Sequence, residues 1–183
     1  HIYSTNLGDK LSVPEGHYTH AKARHTGNLW LRHAKRWRHF DAAASAGVSL
    51  TPYGTSALWS LSAGYAPAAG LRLEAGAWQS MRLPTFTDLY YTSPAQINNL
   101  DLTPEHAVTY RLGVDYLKRS WNLSAQAYYR SGRDIIDWVW REDMGSKWHS
   151  EQTSSLDTFG IELAGGYTVS EGFLRRVTLS YGY

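Results

Sequence analysis

The chain has no cysteine, so a disulfide framework and thiolate metal sites are both excluded. No apolar run approaches the ~20 residues that a membrane helix needs. Residence in a membrane would therefore demand a closed β-barrel, since only helices and barrels satisfy their own backbone hydrogen bonds in lipid. Phenylalanine is scarce, with 4 Phe against 13 Tyr and 8 Trp. Rings with a polar tip suit boundaries that are apolar on one side and wet on the other. No nucleophile elbow, P-loop, H-E-x-x-H or dinucleotide fingerprint occurs, so no enzyme and no cofactor are expected. Asp134, Asp137, Glu142 and Asp143 carry oxygens suited to a hard cation but lack EF-hand spacing, and the 8 His fit no zinc motif. No metal site is expected.

Charge is nearly balanced at +2, and the basic residues gather only around Arg32, Lys35, Arg36 and Arg38, with His33 and His39 between them. That cluster reads as a solvated turn or strand end, and no nucleic-acid partner is expected. The chain opens at His1 without the pattern of a signal peptide and ends at Tyr183 inside an alternating run. Both ends are expected to be cuts in a longer chain.

What is present is period-two alternation, the signature of strands with unlike faces. Phe40, Ala42, Ala44, Ala46, Val48 and Leu50 share one face, and Asp41, Ala43, Ser45, Gly47 and Ser49 the other. Leu71, Leu73, Ala75 and Ala77 oppose Arg72, Glu74 and Gly76, while Tyr110, Leu112, Val114 and Tyr116 oppose Arg111, Gly113 and Asp115. Trp121 to Tyr129, Phe159 to Val169 and Val177 to Tyr183 continue the pattern. Apolar faces begin or end in rings, as at Trp59 and Tyr65 or Trp121 and Tyr129, which is what interfacial girdles require. A soluble sandwich gives the same alternation, so the pattern alone leaves both readings open.

Connection lengths favour the barrel. Pro67 to Gly70, Lys118 to Ser120 and Ser170 to Gly172 are short; Leu83 to His106 and Ser131 to Ser155 are long. Short and long ends alternate, as in outer-membrane barrels, although the short Thr51 to Thr55 falls on the long-loop rim. The first part of the chain is less regular. His1 to Leu7 is expected to be a strand, followed by a polar loop through His25 and a further strand over Asn28 to Lys35. The expected fold is all-β: an antiparallel, up-and-down transmembrane β-barrel segment of about nine strands, each near or above the ~9–11 residues that cross a bilayer.

The stretch Arg82-Leu83-Pro84-Thr85-Phe86-Thr87-Asp88-Leu89-Tyr90-Tyr91 resembles the R-x-P-T-F-x-D-L-Y segment of TonB-dependent receptors, including vitamin B12 receptor-like members. Asn99-Leu100-Asp101-Leu102-Thr103-Pro104-Glu105 resembles that family's N-x-x-L-x-P-E segment. Tyr110-Arg111-Leu112-Gly113, Ile135-Ile136-Asp137-Trp138 and Thr158-Phe159-Gly160-Ile161-Glu162 follow in the family's order. Ser93-Pro94-Ala95-Gln96 is similar to the shortened loop of Bacteroidales versions.

The resemblance implies a Gram-negative outer-membrane barrel of roughly 22 strands with a plugged lumen. It implies binding of a scarce nutrient (siderophore, cobalamin or haem) at extracellular loops. Import would use energy from a TonB-type coupling protein, reached through the plug. Residues 1–183 are read as one partial barrel, with the plug and the C-terminal strands outside it. Outer-membrane lipid is the expected partner of the apolar faces.

The long-rim loops are rich in rings, and Tyr90, Tyr91, Trp138, Trp140 and Trp148 are the candidate ligand contacts. Packing and interfacial anchoring account for such rings equally well. Arg82, Pro84, Asp88, Asn99, Pro104, Glu105, Asp137, Gly160 and Glu162 carry the family motifs and are read as mainly structural. The rival functions are a passive porin or outer-membrane enzyme on a similar barrel, and a soluble all-β binding module.

Overall fold

A computed structural model describes residues 2–7, 20–168 and 176–183. Strands β1 (Ile2–Leu7) and β2 (His20–Arg24) form an antiparallel pair of their own. The main sheet holds β3 (Gly27–Arg36), β4 (Phe40–Thr51), β5 (Gly54–Ala68), β6 (Leu71–Arg82), β8 (Glu105–Lys118), β9 (Trp121–Arg141), β10 (Lys147–Thr168) and β11 (Arg176–Gly182). Between β6 and β8 lie the short helix α1 (Phe86–Tyr90) and β7 (Gln96–Ile97), which pairs in parallel with β10. Along the main path each strand is antiparallel to its chain neighbour: the sheet is an up-and-down meander, and it is open, since β3 and β11 do not pair.

Tight turns keep the meander in register. At the β5–β6 turn Gly70 sits at φ +81, and a side chain there would run into the Leu117 carbonyl. Opposite, at the β4–β5 turn, the Thr51 hydroxyl accepts the Tyr53 N–H at 3.1 Å. Register then carries one face across the whole sheet: His33, Ala44, Leu61, Ala77, Tyr110, Tyr129 and Phe159 form a continuous row of paired positions.

That face is bare. Leu61 is 55% exposed, Leu112 66% and Phe159 58%, and no second sheet or helix covers them among the described residues. A soluble sandwich would bury these side chains, so that reading falls. The opposite face carries the polar groups. Arg72 donates to both oxygens of Asp41, at 2.8 and 3.1 Å, and to Glu74 at 2.6 Å. Ser45 and Ser60 hydroxyls meet at 2.6 Å, and Gln126 donates to Glu162. Apolar-out and polar-in is the arrangement of a membrane barrel wall. No helix among the described residues is long and apolar enough to cross a membrane, which has no bearing on a barrel.

Two expectations need correction. Ser131 to Ser155 is not a long loop: β9 and β10 run for 21 and 22 residues, and their register is unbroken from Trp121–Tyr167 to Lys147–Arg141. Only residues 142–146 turn. A strand of that length reaches roughly 70 Å, far more than a bilayer needs, so the hairpin projects beyond the apolar band. Outside lipid the two faces are no longer divided between acyl chains and lumen, and the alternation that marks a strand in the sequence disappears while the hydrogen-bond ladder continues. The long connection expected over Leu83 to His106 is present as residues 83–104 and holds α1 and β7. His20–Arg24, read as part of a polar loop, is strand β2. The expected short turn over Ser170 to Gly172, and Val169 before it, lie outside the described residues.

Replacing Leu112, midway along β8 on the bare face, by Arg is expected to destabilise the barrel by about 2–4 kcal/mol in lipid vesicles. Urea unfolding followed by tryptophan fluorescence checks this. An unchanged midpoint would place Leu112 away from lipid.

Candidate functional site

The long-loop rim holds the part of the chain with a conventional core. Phe86, Leu89, Leu102 and Ile136 are buried together, with Tyr90 packed against them. Helix α1 starts where Thr85 and Asp88 cap each other: the Asp88 N–H reaches the Thr85 hydroxyl at 3.1 Å, and the Thr85 N–H reaches the Asp88 carboxylate at 2.8 Å. This reciprocal box fixes the start of a helix too short to persist alone.

A charged clasp ties that core to the strand ends. Arg82, at the end of β6, donates from Nε to Glu105 at 2.7 Å and makes a second, shorter contact from its Nη2. The same nitrogen reaches the Ile136 carbonyl at 3.3 Å. Glu105 accepts the Ile136 N–H at 2.7 Å, so one ion pair links β6, β8 and β9. Burial pushes the Glu105 carboxyl up, but the Arg82 guanidinium and the Ile136 amide outweigh it and hold the group below its usual range. Pro84 is fully buried, and its carbonyl accepts from Arg24 at 2.6 Å. Arg24 also lies 5.1 Å from the Phe86 ring, and Lys22 lies 4.9 Å from the Tyr90 ring. Asn99 donates its N–H to the Asp88 carbonyl at 3.1 Å and closes a turn onto the Asp101 N–H at 2.9 Å.

The remaining motif residues are spread out. Asp137 is exposed and accepts the Trp138 N–H at 2.7 Å. Pro104 precedes β8 and fixes the approach to Glu105. Gly160 lies under the Tyr128 ring, where any side chain would collide with it, and Glu162 pairs with Gln126 on the polar face.

Of the ring candidates, Trp140 and Trp148 come together, their centroids 5.6 Å apart at 69°. Both are nearly half exposed. Tyr90 instead packs on Phe86 and the rim core, and Tyr91 caps the end of α1. The two groups sit on one joined unit. β7 pairs with Trp148 and His149, and the Trp148 N–H donates to the Ala95 carbonyl at 2.9 Å. Gln152 crosses from β10 to the Thr103 carbonyl at 2.9 Å and the Asp134 carbonyl at 2.8 Å.

Arg24 and Gln152 escaped the sequence reading. Only α1 carried a local signal, the T-x-x-D of its capping box. The loop carboxylates do not converge: Asp143 and Glu151 are both engaged by Arg141, at 2.8 and 3.0 Å. The Arg141 hydrogen bond holds Asp143 below the usual carboxylate range. Among the described residues no group of three or more His, Asp or Glu is placed to hold a metal ion.

An antiparallel meander with a bare apolar face and ion pairs behind it is the wall of an outer-membrane β-barrel. The chain belongs to the TonB dependent receptor-like β-barrel family, whose model matches residues 25–183. It is 26% identical over 117 residues to the vitamin B12 transporter BtuB of Photobacterium profundum, covering 63% of this chain and 19% of that protein. Its fold matches the siderophore receptor PirA from Pseudomonas aeruginosa at TM-score 0.68 and 13% identity, over 89% of this chain and 32% of that one. The ferric enterobactin receptor PfeA also matches at TM-score 0.68, with 14% identity, over 92% of this chain and 28% of that one. The chain therefore spans about a fifth of the curated relative's length. The family is one of Gram-negative outer-membrane transporters and receptors, not of enzymes.

The clasp gives an acid-sensitive rim. Because Glu105 titrates lower in the folded chain, its contribution is complete above the ordinary carboxylate value of 4.5 and is lost as pH falls through the folded value. Protection of the amides over 85–103, taken as exchange relative to an unstructured peptide at the same pH, is expected to fall on acidification below pH 4.5. Glu105→Gln should raise exchange at neutral pH and remove most of the acid response. Arg82→Ala leaves a buried carboxylate without its cation and should loosen the same segment by about 1–3 kcal/mol, read from the same exchange rates.

Proposed function

We propose that the chain forms part of the barrel of an outer-membrane active-transport receptor. The receptor binds a scarce nutrient such as a siderophore, cobalamin or haem at its extracellular loops and imports it with TonB-derived energy. The observation that carries this reading is the division of the sheet into an apolar outer face and an ion-paired inner face, beneath a rim built from the family's own motif residues. Lipid holds the outer face. The polar face, with Arg72, Glu74, Arg111, Gln126 and Glu162, meets water and a plug domain contributed by sequence outside this stretch.

Energy coupling runs from a TonB-type protein through that plug. Relatives named for vitamin B12 and for siderophores support a small-molecule nutrient as cargo. The family's character supports a transporter over an enzyme barrel, and localisation in the Gram-negative outer membrane follows from the same reading. Trp138, Trp140 and Trp148 on the projecting hairpin, with Tyr90 and Tyr91 on the joined segment, supply the capture surface.

The test is uptake in a strain expressing the complete receptor. Replacing Trp138, Trp140 and Trp148 together by Ala should reduce nutrient uptake at least about tenfold, the loss of ~1.4 kcal/mol of capture. Surface display is measured in parallel, and deletion of the TonB-type partner should abolish uptake altogether. Undiminished uptake by the displayed triple variant removes the capture role. Uptake that persists without the coupling protein makes the barrel a passive porin.

A further inference from the structure

The apolar face of the sheet is not uniform. A groove of about 940 Å³ crosses it from β3 to β10, floored by Ala42, Ala44, Ala63, Ala75, Ala77 and Ala127. Tyr110 and Tyr129, stacked at 6.5 Å, bound its far end together with Phe159. Its near end is formed by His33, Lys35 and Trp37. The groove also slopes. Strand pairing puts His33 close to Arg36, where β3 ends, but puts Phe159 deep inside β10, which continues to Thr168. The paired row therefore descends from the middle of the wall at Phe159 towards the rim that carries the turns after β3, β5 and β8.

The low end is cationic. Lys35 pairs with Ala42 and so stands on the apolar face. A lysine on that face is costly at the middle of a bilayer and nearly free at its edge. Its Nζ lies 5.4 Å from the centre of the Trp37 ring, so the side chain reaches towards the turn and holds its charge at the level of the ring. The Trp37 and Phe40 rings meet at 5.5 Å and mark that level as the interface. Arg38 lies in the turn itself and is exposed. Neither Lys35 nor Arg38 forms an ion pair with a carboxylate among the described residues. Asp41, the nearest carboxylate along the chain, is held by Arg72 on the opposite face. Two uncompensated cations at the end of an apolar groove complement an amphiphile with an anionic head and long acyl tails.

We propose that this groove holds one anionic phospholipid, its acyl chains along the apolar floor and its phosphate at Lys35 and Arg38. The inference rests on the receptor reading, which sets the short turns on the periplasmic rim, opposite the connection over 83–104. That rim meets the phospholipid leaflet, so a glycerophospholipid is the occupant rather than the lipid A of the opposite leaflet. The basic turn then makes a fixed contact with one lipid, beyond the diffuse attraction of any cationic patch to an anionic surface.

The probes are dioleoyl phosphatidylglycerol and dioleoyl phosphatidylcholine, titrated separately into the complete receptor in detergent, with bound lipid counted by native mass spectrometry. Phosphatidylglycerol is expected to bind saturably and at least about tenfold more tightly than phosphatidylcholine. Lys35→Gln combined with Arg38→Gln alters only exposed side chains and should bring the two lipids within about twofold of each other. Ala63→Leu combined with Ala75→Leu fills the groove floor, keeps the outer face apolar and should weaken phosphatidylglycerol binding at least about fivefold. Equal affinity for the two lipids in the parent overturns the proposal, as does an undiminished preference in the charge variant. Full phosphatidylglycerol affinity in the groove variant overturns it too, by reducing the site to a charged turn. Tighter binding of lipid A, or a protein dimer in place of the lipid-bound monomer, also overturns it. The outcomes separate from those for transport: coupled uptake by a receptor without lipid preference sinks only the lipid site. A lipid preference in a barrel whose uptake needs no coupling protein sinks only the importer.

Discussion

Lipid offers a peptide group no hydrogen-bond partner, and the rest of this structure depends on that fact. Each strand between β3 and β11 takes its backbone partners from the strands on either side, in a meander whose main-path register shifts only near the β5–β6 turn. Once register is fixed, faces are fixed: a row of outward positions passes from His33 to Phe159 without crossing to the inside. The outer face is then free to be apolar because it meets acyl chains. The inner face is free to hold Arg72, Asp41 and Glu74, because ion pairing and water keep them solvated. No interior of the usual kind is needed through this region, and the buried hydrophobic residues lie elsewhere.

They lie at the rim, where the constraint reverses. Above the bilayer water competes for every amide, and a connection over residues 83–104 holds its shape only if it packs. Four apolar side chains do not make a large core, and the Arg82–Glu105 pair compensates by joining the ends of β6 and β8 to β9 at one point. The cost of burying Glu105 is offset because two donors reach its carboxylate in good geometry. Arg24 adds a further anchor from β2, so a segment distant in sequence closes over the loop.

The sheet was legible in the sequence wherever the two faces met unlike surroundings. Phe40 to Leu50, Leu71 to Arg82 and Val108 to Tyr116 alternate because lipid lies on one side and water on the other. The same cause hid the upper half of the β9–β10 hairpin, since Ser131 to Arg141 and Lys147 to Ser155 rise past the lipid, where Ile136, His149 and Ser150 are buried under the rim while Trp140 and Trp148 are half exposed. Strand there is decided by pairing with a partner, which no local pattern reports. The family motifs located the rim, and the structure explains much of their composition: Thr85 and Asp88 as mutual caps, Pro84 buried under Arg24, Arg82 and Glu105 as a pair. Arg24 and Gln152 were out of reach of sequence reasoning because their partners lie far along the chain, at Pro84 and Thr103.

Gathering these anchors in one place has a mechanical consequence. β7 takes its pairing from β10, Gln152 bonds back to Thr103, and Ile136 packs among Phe86, Leu89 and Leu102, so the connection over 83–104 and the hairpin are laced at three levels. Bodies joined at several separated points do not move independently. A ligand held between them would therefore act on both, and through β6, β8 and β9 on the barrel wall below. The rim is thus tied to the sheet by the same hydrogen bonds that shape the connection, with no hinge between them.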